Sequence, residues 1–130
     1  DALAAHLTER AGPRHLVRPF IPLAPLLGRS KAIVHSGAHG TNSLALLAGV
    51  PSVIAPCLFD QVAHGRRQQE LGTGAWVRRK RDLPKAVATI LNPANGYTER
   101  AQAFSEQISQ EDGTARTITE LERILDSTSS

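Results

Sequence analysis

The stretch that most constrains the fold is residues 34–49, VHSGAHGTNSLALLAG. A β-branched run ends in a loop of small residues, and helix-forming residues follow at once. A strand that turns this tightly into a helix leaves the first helical amides unbonded, with nothing bulky in front of them. Such an end carries about half a unit of positive charge and attracts anions, phosphates above all. The pattern then repeats. Residues 32–35 (AIVH), 52–55 (SVIA) and 75–77 (AWV) are short apolar runs. Between them lie two helical segments. One is capped by Thr41 or Asn42, carries Leu44, Leu46 and Leu47 as buried apolar cover, and stops at Gly49 and Pro51. The other is polar, covers residues 61–71, and stops at Gly72 and Gly74. Continuous apolar strands joined by crossover helices predict an α/β fold with a Rossmann-like parallel sheet and helices on both faces. Ligands of such sheets sit beyond the C-terminal strand ends, where His35, Cys57 and residues 59–61 fall.

The flanks read less sharply. Residues 2–10 suit a helix with Leu3 and Leu7 on one face, ended by Gly12-Pro13. Residues 15–20 (HLVRPF) alternate weakly and read as a short strand, and residues 25–28 (PLLG) as one helical turn. After the third apolar run, residues 83–91, 97–107 and 114–125 have helical spacing and are expected to cover the sheet.

Length and composition narrow the class. A chain of 130 residues with 41% hydrophobic content can bury the core of one domain. No apolar run approaches the ~20 residues that span a bilayer, no secretory-type leader is evident, and Cys57 stands alone, so the cytoplasm is the expected compartment. No carboxylate, His or Cys cluster has metal-ligand spacing, and no Ser-His-Asp or Cys-His arrangement is evident. The net charge of +3 gathers around Arg66, Arg67, Arg78, Arg79, Lys80, Arg81 and Lys85. With only 4% aromatics to stack on bases, this run reads as a solvated surface and not as a nucleic-acid site. Phe20 and Phe59 suit a core as well as a site, Cys57 reads as a small buried apolar residue, and His64 as a packing or surface residue.

Three segments taken together carry a resemblance: PFIPLAPLL, AIVHSGAHGTNSLALLAGVPSVIAPCLFDQ and HGRRQQELGTG. Over residues 20–74 the chain resembles the C-terminal, donor-binding domain of GT-B fold nucleotide-sugar-dependent glycosyltransferases, in the style of bacterial enzymes that glycosylate antibiotics, macrolides or sterols. The glycine loop, the AGVP turn, the Asp-Gln pair and the ELGTG stop match in order and spacing. The resemblance implies a phosphate-binding loop of Ser36, Gly37, Ala38, His39, Gly40 and Thr41, with His35 just before it. It implies a sugar-binding pair, Asp60 and Gln61, whose carboxylate and amide suit vicinal hydroxyls. It implies base contacts from Phe20 and from the backbone of Leu23. Two positions depart from the family pattern. Ser36 stands where a phosphate-contacting histidine is usual, with His35 or His39 as substitute cations, and Ala38 replaces a glycine.

The implied activity is transfer of a hexose from a UDP or TDP sugar to a hydroxyl of a natural product, sterol or lipid. Transfer would invert the anomeric centre and need neither metal nor cofactor. Catalytic residues and the acceptor site are expected outside this chain, in an N-terminal domain. Of the six strands in the family's sheet, the third to the sixth find counterparts, the third being residues 15–20. The first two do not, so residues 1–130 are expected to form one partial domain, a fragment or one completed by a partner segment. Self-association stays open. The alternatives are a non-catalytic nucleotide-binding relative of the same fold and, behind it, a basic nucleic-acid-binding module.

Overall fold

The computed structural model describes residues 2–128, with the side chains of Leu3 and Ala4 outside that description. Helices α1 (Ala2–Arg10) and α2 (Leu23–Leu27) precede a run of alternating elements: β1 (Ile33–His35), α3 (His39–Leu47), β2 (Ser52–Ile54), α4 (Phe59–Leu71) and β3 (Gly74–Trp76). Helices α5 (Leu83–Leu91), α6 (Tyr97–Ser109) and α7 (Gly113–Thr128) follow, with 3-10 turns at Lys80–Asp82 and Pro93–Asn95. The three strands form one parallel sheet in the order β1-β2-β3.

Registry divides the sheet into two faces. Val53 lies opposite Ala75, and Ile54 opposite Trp76. Side chains alternate along a strand, so each pair faces one way. Val53 joins Val77 and Ile90 in the core, with Ala75, Leu83, Ala86 and Val87 packed against them, so α5 covers this face. The Ile54–Trp76 face lies under α4. A Cβ at Gly65 would stand 2.7 Å from Trp76 Cβ and 3.3 Å from Ile54 Cγ2, so a glycine is what lets α4 lie flat on the sheet. Polar bonds lock the same layer. Gln68 Nε2 donates to Asn42 Oδ1 at 2.8 Å, joining α4 to α3, and Thr73 Oγ1 donates to Gln68 Oε1 at 3.4 Å. Helix α4 ends on Gly72 in the left-handed region, φ 68°, where Arg100 of α6 donates to the Gly72 carbonyl at 2.9 Å.

Three expectations need correction. Residues 15–20 form no strand, and Leu16 and Phe20 are exposed. A strand exists only where a neighbour takes up its amides, and no described strand lies alongside this one. The outer edge of β1 is likewise unpaired among the described residues, and Val34 is half exposed. Helix α7 forms, but every described residue of it is exposed, so it does not cover the sheet. Leu44 and Leu47 of α3 reach the surface instead of the core. The expected pairing of Leu3 with Leu7 in α1 involves a side chain outside the described residues. Among the described residues no helix is long and apolar enough to cross a membrane.

Candidate functional site

The β1–α3 loop rises from the C-terminal end of the central sheet and is held at one glycine. Gly37 has φ 91° and is buried. A Cβ there would lie 2.8 Å from Ile54 Cγ2 and 3.1 Å from the Gln61 carbonyl oxygen. Both polar groups of Gly37 are occupied. Its N–H donates to His35 Nδ1 at 3.0 Å. Its carbonyl accepts from His64 Nδ1 at 2.7 Å, since a carbonyl oxygen can only accept. The loop is therefore clamped between a histidine on β1 and a histidine on α4.

Beyond the clamp, α3 opens to solvent. Its N-cap is Ala38, which offers no side-chain cap, and the first helical bond is Asn42 N–H to the Ala38 carbonyl at 2.9 Å. The amides of His39, Gly40 and Thr41 thus precede the first intrahelical bond. A Cβ at Gly40 would meet nothing within 4 Å. The His39 and His64 rings flank this end with centroids 5.8 Å apart. The arrangement is a bare positive helix end with clear space before it, suited to a phosphate. The helix starts earlier than a cap at Thr41 or Asn42 would give. Asn42 is drawn inward to Gln68, so it cannot turn back to cap, and Thr41 sits in the first turn.

This geometry redistributes the expected phosphate ligands. Ala38, His39 and Gly40 are exposed at the helix end, and Ser36 and Thr41 are half-buried beside it. The Gly37 amide donates to His35 Nδ1, so these two atoms are engaged within the loop itself. Burial, reinforced by the neighbouring His64, pushes the His35 pKa below the usual histidine value, so His35 is neutral and supplies no cation. Its Nδ1 accepts, which leaves the proton on Nε2, a buried atom without a hydrogen-bond partner among the described residues.

The β2–α4 turn stands beside the loop, in contact through Gly37 and Gln61. Asp60 is exposed in the first turn of α4, one residue inside the helix and not at its N-cap, which is Leu58. Gln61 is buried. Its Oε1 accepts from Cys57 N–H at 2.8 Å and from Leu58 N–H at 3.1 Å. Its amide oxygen is spent on closing the turn, so of the expected sugar-binding pair only Asp60 presents a free-standing acceptor. Cys57 is exposed rather than buried, and Phe20 and Phe59 are surface residues rather than core. Phe20 lies on the irregular segment before α2. Leu23 opens α2, which packs on α3. Sequence reasoning missed the bracing role of His64. The signal was its place three residues after Gln61, which puts both on the loop-facing side of α4. No group of three or more His, Cys, Asp or Glu among the described residues is placed to hold a metal ion.

Comparison with known proteins decides the family. The sequence model for the erythromycin biosynthesis protein CIII-like C-terminal domain matches residues 6–125. The chain belongs to this family. As a CIII-like C-terminal domain it has the Rossmann-like fold of the C-terminal half of GT-B glycosyltransferases. The glycosyltransferase VinC, solved in complex with DTDP, superposes with a TM-score of 0.75 at 25% identity, covering 95% of this chain and 32% of VinC. The glycosyltransferase SnogD from Streptomyces nogalater gives a TM-score of 0.66 at 28% identity, covering 84% of this chain and 29% of SnogD. A sterol 3-beta-glucosyltransferase of Komagataella phaffii is 31% identical over 100 residues, covering 75% of this chain and 8% of the relative. The CIII-like domain thus spans less than a tenth of that curated relative and about a third of the solved glycosyltransferases.

Proposed function

We propose that this chain is the donor-binding part of an inverting glycosyltransferase that moves a hexose from a UDP or TDP sugar to a hydroxyl of an apolar natural product or sterol. One observation carries the reading. The uncapped N-terminus of α3 faces open space at Gly40, and the loop before it packs through Gly37 against Gln61, the residue after the exposed Asp60. A diphosphate on the helix end and a sugar rim on Asp60 fit a nucleoside diphosphate sugar. VinC, solved with DTDP, and the sterol glucosyltransferase relative support the same ligand and acceptor classes.

In the proposed reaction a base outside this chain removes the proton of the acceptor hydroxyl. The oxygen attacks the anomeric carbon from the face opposite the phosphate, the anomeric C–O bond to phosphate breaks, and the nucleoside diphosphate leaves with the electron pair. Negative charge grows on the leaving oxygen, and in this reading the unbonded amides of His39, Gly40 and Thr41 stabilise it. That positive field takes the place a divalent cation would fill. The Thr41 hydroxyl adds a donor and Asp60 holds the sugar hydroxyls.

Isothermal titration with UDP, TDP and their glucose conjugates, in the presence of EDTA, tests the reading. Binding is expected with chelator present. Thr41→Ala should weaken nucleotide and nucleotide sugar alike by about ten-fold, one charge-assisted hydrogen bond, whereas Asp60→Ala should weaken only the nucleotide sugars. Absence of any nucleotide binding by the unaltered chain would overturn the proposal.

A further inference from the structure

Phe59 is the first residue of α4 and is 97% exposed, while the Leu58 before it is 62% exposed. The turn that carries them is fixed, not loose. The buried Gln61 accepts from both Cys57 N–H and Leu58 N–H, so the backbone on either side of Phe59 is held while its ring stands in solvent. The chain has only three phenylalanines, and this one is withheld from a core small enough to use it. Asp60, the next residue, is exposed in the same helical turn.

We propose that Phe59 is a specificity-determining residue for the donor's sugar, its ring face meeting the C–H face of the hexose whose hydroxyl rim meets Asp60. The inference rests on the nucleotide-sugar reading above. A hexose has two kinds of surface: a rim of hydroxyls, and faces of C–H groups with slight positive charge. A carboxylate recognises the rim alone. An aromatic face carries negative quadrupolar charge and favours the C–H surface. Consecutive helical residues project about 100° apart, so a ring and a carboxylate at these positions address two different surfaces of one ligand. The path is continuous as well. Gly37 of the phosphate loop lies against the Gln61 backbone, one residue beyond Asp60, so a sugar joined to a diphosphate at α3 reaches the first turn of α4.

The test is calorimetric titration of the chain and its Phe59→Ala variant with TDP, TDP-glucose, UDP and UDP-glucose. Because the ring is exposed, the variant should keep its melting temperature and helical circular dichroism. The expected result is that affinity for the sugar conjugates falls about five-fold while affinity for the free diphosphates stays within about two-fold. Phe59→Trp should restore the ratio. An equal loss for both ligand types, or no loss for either, would overturn the role of Phe59 while leaving the nucleotide reading standing. Failure of the unaltered chain to bind any of the four ligands would overturn both.

Discussion

At the scale of single residues, the glycines of the phosphate loop do different jobs. Gly37 is structural: its φ of 91° and the 2.8 Å approach of Ile54 leave no room for a side chain. Gly37→Ala should cost about 2–4 kcal/mol of stability, from backbone strain and overpacking together. Gly40 has open space around it and lies inside α3. Gly40→Ala should therefore leave stability within about 1 kcal/mol, on the favourable side, yet weaken nucleotide binding, because its methyl occupies the space before the helix end. Urea unfolding and titration of both variants separate the two roles. His35 makes a pH prediction at the same scale. Its folded pKa lies below the unfolded value near 6.5, chiefly through burial. As pH falls through that value the unfolded chain takes up a proton that the folded chain refuses, so folding stability drops. The loss begins near pH 6.5 and continues down to the folded pKa, and above that window the contribution is complete. His35→Gln should flatten this part of the stability profile, measured by urea unfolding from about pH 5 to about pH 8.

At the scale of elements, α4 shows what a hydrophobic pattern misses. Its Gly72 stop is visible in the sequence, and its start lies two residues earlier than the pattern indicates. Its inward face is not, because the buried positions are Gln61, Gly65 and Gln68. Each is inside for a reason other than hydrophobicity. Gln61 closes the preceding turn, Gly65 lets the helix touch Trp76, and Gln68 bonds Asn42 and Thr73. Gly65→Ala should consequently cost about 1–3 kcal/mol in thermal or urea unfolding, although alanine is the better helix former. If the variant is as stable as the parent, α4 does not pack on the sheet as closely as described. The candidate site inherits this rigidity, since the same helix carries His64 to the loop and Asp60 to the surface.

At the scale of the whole molecule, the buried core runs from α2, which contributes Leu27, to α6, which contributes Ala101. Arg100 ties α6 to the α4–β3 turn, donating to Gly72 and Asn95 carbonyls at 2.9 and 2.7 Å. Ser105 donates its hydroxyl to the Leu47 carbonyl, fixing the end of α3. Helix α7 has an apolar stripe in Ile118, Leu121, Ile124 and Leu125, each between 46% and 65% exposed. Removing α7 should accordingly change the unfolding free energy by less than about 1 kcal/mol, since little apolar surface leaves water there. Guanidinium unfolding of the shortened and unshortened chains checks this. A larger loss would mean that α7 packs on the domain in solution.

The sequence by itself determined the strand–loop–helix order, the parallel sheet, the helix end open to an anion and the family resemblance. Each of these is local: β-branched runs, glycines and apolar spacing act over a few residues. Only the tertiary structure decided that His35 and His64 clamp Gly37, that Gln61 closes a turn instead of presenting itself, and that residues 15–20 form no strand. Those outcomes depend on which groups meet across the fold. A histidine or glutamine bonds the partner that packing brings within about 3 Å, and a strand forms only where another strand waits beside it.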